Sequence, residues 1–201
     1  MTSDSWSRDQ YGEGVLLMTE PGLHLPPIEG LDVEDLARLP RGYRYELHGG
    51  NLVIMTPTTF WHKAMAGRLF LMFHAAGLTV FQDPGVRGDR PRDCRLPDVG
   101  VVDALPPGML RYSNLPGTAY RLVVEIVSAN SPDGEFTHKA LWCAEQGIPE
   151  YWIVEETSDH SDDDAMVSIR RLTDAGGGPA YVEERSLLLS ELEAEYRAER
   201  G

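Results

Sequence analysis

The stretch Leu122-Val123-Val124-Glu125-Ile126-Val127 constrains the fold of this chain more than any other. It is rich in β-branched residues and apolar at both parities, so Tyr120–Ser128 reads as a strand covered on both faces. A strand of that kind sits inside a sheet flanked by helices, in an α/β or α+β domain built around one mixed sheet. It also carries a carboxylate into the sheet. Removing that carboxylate from water costs several kcal/mol unless something compensates it, against a whole-domain stability of about 5–15 kcal/mol. Glu125 therefore calls for a cation, a metal or a raised pKa. An ion pair with Arg121 is the ordinary alternative.

Asp98 repeats the anomaly within Leu96-Pro97-Asp98-Val99-Gly100-Val101-Val102. Pro97 cannot donate to a ladder and puts Asp98 near the start or edge of a strand. By itself Pro-Asp is a common turn element. Together with Glu125 it could supply two carboxylates from adjacent strands to one ion, and magnesium takes one or two carboxylates while keeping several waters. Glu46, in Tyr45-Glu46-Leu47, could complete such a site or simply face solvent from a hairpin. Lys139 and Lys63 are the two lysines beside sixteen arginines. On the second helix Lys139 falls at the edge of the Phe136/Cys143 face and could reach the sheet, or it could form an ordinary i,i+4 pair with Glu135. His62 and His138 lack the spacing of a metal-binding pair and read as surface or capping residues.

Around these residues the chain is organised simply. Residues 1–28 are polar and rich in Gly and Pro and read as a poorly ordered arm; 29–201 read as a single domain. The spacing predicts a short helix over Leu31–Leu39 capped by Asp32, then a hairpin of Tyr43–His48 and Leu52–Thr56 about Gly49-Gly50. Trp61–Ala76 follows as a helix burying Met65, Leu69, Met72, Phe73 and Ala76. Strands are predicted at Leu78–Gln82, Gly85–Gly88, Arg95–Asp103 and Tyr120–Ser128, with a Pro/Gly-rich connection over 104–119. A helix over Pro132–Gln146 precedes a core strand, Tyr151–Glu155, then strands Met166–Leu172 and Ala180–Arg185 and a polar helix from Ser190.

Taken together, these residues resemble the PD-(D/E)XK nuclease superfamily and, within it, the Uma-two family of restriction-type endonucleases. The resemblance rests on Tyr45-Glu46-Leu47 with Gly49-Gly50-Asn51-Leu52, on His62, on Leu96-Pro97-Asp98-Val99, on Leu122–Ser128, on Lys139 and on Gly147-Ile148-Pro149-Glu150-Tyr151-Trp152. It implies a restriction-endonuclease-like mixed sheet flanked by helices, often paired as a homodimer. It also implies an endonuclease that hydrolyses DNA phosphodiester bonds with Mg2+ or Mn2+. Asp98 and Glu125 match the acidic pair that holds the metal. Lys139 matches a lysine moved onto the following helix from the position where Val127 now stands. Glu46 matches an auxiliary metal or water-positioning acid. Departures from the pattern are Ser128-Ala129-Asn130-Ser131 for the usual Ser-Pro-Ser, Glu135 for an aspartate and Cys143 for a tyrosine.

Charge bears on how DNA could be met. The formal charge of −14 excludes a generic nucleic-acid coat, whose affinity comes from many Lys and Arg on phosphates. Arg87, Arg90, Arg92 and Arg95 form a local basic run just before Asp98, which reads either as a DNA contact or as a solvated hairpin. The acidic surface also fits a catalytically inert nuclease-like fold used as a protein-binding or regulatory module. Two distant cysteines, Cys94 and Cys143, form no disulfide framework, so a reducing cytoplasm is the expected compartment. No stretch approaches the ~20 apolar residues of a membrane span.

Overall fold

The computed structural model describes residues 25, 27–55, 57–103, 105, 108, 111–127, 135–174 and 176–199, with the side chains of 135 and 136 left aside. The arm expected over 1–28 lies outside these residues except for 25, 27 and 28, as does the Ser128–Ser131 segment.

Two sheets are present where one was expected. A five-stranded sheet has the order β2-β1-β5-β4-β7 and a six-stranded sheet the order β11-β10-β9-β8-β6-β3. In the first are β1 (Arg44–His48), β2 (Asn51–Met55), β4 (Gly85–Arg87), β5 (Cys94–Arg95) and β7 (Asn114–Pro116). In the second are β3 (Thr79–Gln82), β6 (Val99–Val102), β8 (Tyr120–Ile126), β9 (Glu150–Glu156), β10 (Ala165–Asp174) and β11 (Pro179–Leu188). The expected single strand Arg95–Asp103 is thus cut into β5 and β6. Pro97, with no N–H, interrupts it, and the chain crosses from one sheet to the other at Leu96–Asp98. β7 arises within the connection expected to be irregular, pairing parallel to β4.

Asp32 caps Val33–Arg38 as expected, accepting from the amides of Glu34 and Asp35, but this turn is 3-10 rather than α. The β1–β2 hairpin turns through Gly49 and Gly50 at φ 58° and 96°, a left-handed pair that glycine adopts without strain. Helix α1 (Phe60–Ala75) is capped by Thr59 and buries Met65, Leu69, Met72 and Phe73. The predicted second helix is a π-type turn over Glu135–Lys139 leading into α2 (Ala140–Glu145). Helix α3 (Leu189–Ala198) closes the described chain. Among the described residues no helix is long and apolar enough to cross a membrane.

The six-stranded sheet is covered on both faces, as the apolar run of β8 requires. Val124 and Ile126 pack with Met65, Leu69 and Phe73 of α1, while Val123 packs with Ala140 and Cys143 of α2. Glu125 shares the parity of Val123 and therefore the α2 side. β8 and β9 run parallel, Leu122 opposite Glu150. The connection between them includes α2, which brings Lys139 over the sheet.

Candidate active site

Strand β1 places Arg44, Glu46 and His48 on one face, while Tyr45 and Leu47 point to the opposite side. The inward Glu46 is 2% exposed and accepts the Leu96 amide at 2.7 Å on one oxygen and faces His48 Nε2 at 2.6 Å on the other. Burial alone would raise its pKa, but the His48 hydrogen bond, the Lys139 ammonium and the Leu96 amide outweigh it and hold the carboxyl at about 2.

Asp98 stands at the crossing between the sheets, 6% exposed. Its Oδ2 accepts the Ile126 amide of β8 at 2.8 Å. This carboxylate so fills a ladder position and ties the start of β6 to the strand that carries Glu125. His62 Nε2 lies 3.2 Å from the same oxygen, and Arg44 Nη2 lies 3.8 Å from Oδ1. His62, expected at the surface, is buried at 7% exposure. The reason is its place on the α1 stripe: His62, Met65 and Leu69 recur at i, i+3 and i+7, a register legible in the sequence.

Glu125 is 3% exposed. Lys139 Nζ donates to its Oε2 at 2.8 Å and lies 3.6 Å from Glu46 Oε1. The alternative partners Arg121 and Glu135 are not needed to account for either charge. The other oxygen of Glu125, Oε1, is buried and makes no hydrogen bond among the described residues. Burial, with the nearby Asp98 and Glu46 charges, pushes the Glu125 pKa up to about 8 despite Lys139. Burial would lower the Lys139 pKa, yet the Glu125 and Glu46 carboxylates raise it, so the ammonium is held charged. Asp98, Glu125, Glu46 and Lys139 thus form one electrostatically coupled cluster.

Among the described residues no three His, Cys, Asp or Glu side chains converge to ligate an ion by themselves. The donor set nevertheless suits a hard cation: all-oxygen, with Glu125 Oε1 unsatisfied among the described residues and Asp98 Oδ1 facing Arg44 Nη2 at 3.8 Å. Magnesium needs only one or two protein carboxylates, with water or substrate oxygen filling the rest.

The four arginines of the basic run separate. Arg92 donates to the carbonyls of Leu31, Ile28 and Gly50. Arg95 binds the Leu47 carbonyl and Asp93 and lies 4.8 Å over the Trp142 ring. Both therefore hold the protein's own frame. Arg87 is 42% exposed beside Glu34 at 3.5 Å, and Arg90 is exposed. Arg44 and His48 were not anticipated from the sequence, although the alternation Arg-x-Glu-x-His on a strand puts all three on one face.

The fold is that of a nuclease-like protein. A crystal structure described as "a putative nuclease belonging to DUF820 from Anabaena variabilis ATCC 29413" is similar at TM-score 0.56 and 14% identity, over 79% of this chain and 83% of that one. The model of the Uma2 family, described as "Putative restriction endonuclease", matches residues 33–198, and the chain belongs to that family. No curated protein matches it.

Proposed function

We propose that this chain is an endonuclease that hydrolyses DNA phosphodiester bonds with Mg2+ or Mn2+, the ion being held by Asp98 and Glu125. The observation that carries this reading is Glu125 Oε1, a buried carboxylate oxygen without a hydrogen bond among the described residues, in a chain of the Uma2 family. A native fold rarely leaves such an atom unpaired unless an ion, water or substrate completes it. Bound there, the ion would polarise the scissile phosphate and lower the pKa of its water. Lys139 orients that water or neutralises charge growing on the phosphorane, a role for which a compact ammonium is suited. Glu46 keeps Lys139 in place and is itself fixed by Leu96 and His48. Asp98 serves twice, bracing the strand through Ile126 and offering Oδ1 to the ion.

Cleavage of a plasmid and of short duplex, single-stranded and branched DNA in Mn2+ tests the reading. Asp98→Ala and Glu125→Ala are expected to lose at least about 100-fold in rate, with Lys139→Ala intermediate. Full metal-dependent cleavage by either acid variant sinks the assignment. Absence of Asp98- and Glu125-dependent Mn2+ binding by calorimetry favours the inert module instead. Arg87 and Arg90 are the proposed DNA contacts of the basic run. A homodimer in the cytoplasm is the proposed working form, the dimer being testable by light scattering; the buried free thiols Cys94 and Cys143 accord with a reducing compartment.

A further inference from the structure

A trough runs beside the acidic cluster on the side of Asp98. One hollow of about 320 Å3 is lined by Tyr43, Arg44, Asp83, Ser113 and Asn114, and an adjoining one of about 210 Å3 by Tyr112 together with the same Ser113 and Asn114. Three features of this trough bear on what could occupy it. Arg44 is placed by charge: Nη2 is 2.6 Å from Asp83 Oδ1 and 3.8 Å from Asp98 Oδ1, and both Nε and Nη2 are buried without a hydrogen bond among the described residues. Its side chain keeps 27% of its surface open. Asp83, which faces it, holds a left-handed backbone at φ 49° that a non-glycine residue rarely adopts. Tyr43 and Tyr112 are 52% and 64% exposed, large aromatic faces left to solvent at the two hollows.

We infer that this trough binds an unpaired nucleotide strand flanking the scissile phosphate, an inference that rests on the nuclease reading and names its substrate class. The chemistry matches part by part. Arg44 lines the trough with the open 27% of its side chain and sets a guanidinium charge beside any phosphate that enters. Exposed phenol rings stack on base faces, which a strand offers only where it is unpaired. The Asn114 amide donates to the Ser113 hydroxyl at 3.3 Å, leaving the Asn114 carbonyl oxygen to accept from, and the Ser113 O–H to donate to, base edges. Arg44 lies 3.8 Å from Asp98 Oδ1, so the trough neighbours the proposed ion site. The substrate this favours is DNA with an overhang, flap or gap rather than a closed duplex.

The test is binding of labelled oligonucleotides by fluorescence anisotropy, with the full chain in chelator so that no cleavage occurs. The probes are a single strand, a duplex with an overhang and the same duplex blunt-ended. Tyr43→Ala is expected to weaken the single strand and the overhang by about tenfold, with Tyr43→Phe retaining affinity, because stacking and not the hydroxyl is used. The blunt duplex should bind more weakly and be indifferent to Tyr43. Tyr112→Ala, far from the β1 hairpin in sequence, should weaken the same two probes and guards against a folding effect of one substitution. Unchanged affinity in both alanine variants, an equal loss on the blunt duplex, or Tyr43→Phe as weak as Tyr43→Ala overturns the inference. The assay contains no metal, so its failure leaves the ion-site reading to be decided by cleavage and Mn2+ calorimetry.

Discussion

Glu125 and Glu46 are two buried carboxylates sharing one lysine, and their surroundings drive them in opposite directions. Glu125, raised to about 8 by burial, binds a proton more tightly than a free carboxyl, and an ion held there as proposed would compete with it. Proton and metal compete for the same oxygen, so Mn2+ affinity is expected to rise with pH up to the Glu125 pKa and then level. Calorimetry at about pH 6.5 and about pH 8.5, in buffers of different ionisation enthalpy, should show weaker binding and release of about one proton at the lower pH. Glu46, lowered from 4.5 to about 2, binds its proton more weakly folded than unfolded. Its contribution to stability, roughly 3 kcal/mol, is present above pH 4.5 and is lost as pH falls through that interval. Acid denaturation of Glu46→Gln should accordingly show a flatter pH dependence there, read by circular dichroism. Both acids were visible in the sequence because a charge inside a strand pattern is a rare event. Arg44 was not, since an arginine at a strand start has everyday explanations until the third dimension supplies its neighbours, and His62, though part of the family pattern, read by itself as a surface or capping residue.

The strands and helices carry a similar lesson. The helix over Phe60–Ala75 and the doubly covered β8 follow from periodicity, and both appear within a residue or two of their expected limits. The break between β5 and β6 does not, because Pro97 announces an interruption without saying that the chain changes sheets. β7 has only three residues and lies among prolines and glycines, so its pairing with β4 is decided by distant partners. Strand β6 leaves no room for a side chain at its second residue: a Cβ on Gly100 would stand 2.7 Å from Pro84 Cγ and 2.9 Å from Tyr120 Cε1. Neither ring can turn aside. Gly100→Ala is expected to destabilise the protein by about 1–3 kcal/mol through overpacking, measured as a lowered midpoint in urea, and to reduce cleavage because Asp98 lies two residues away.

The two sheets are joined by specific contacts: Tyr120 Oη to the Gly85 carbonyl at 2.7 Å, Trp142 Nε1 to Asp93 at 2.7 Å, and Lys139 between Glu125 and Glu46. Such buried cross-links favour unfolding as one cooperative unit, and we propose that residues 29–201 behave as a single domain. Calorimetric scanning is expected to show one transition whose van't Hoff and calorimetric enthalpies agree; two resolved transitions would assign each sheet its own stability. The same joinery distributes the acidic cluster among parts of the chain made at different times. Glu46 belongs to one layer, Glu125 to the other, Asp98 to the seam and Lys139 to the connection between β8 and β9. No fragment carries all four residues, so under the proposed reading a half-synthesised or half-melted molecule would have no site, and the blade would exist only once the handle is whole.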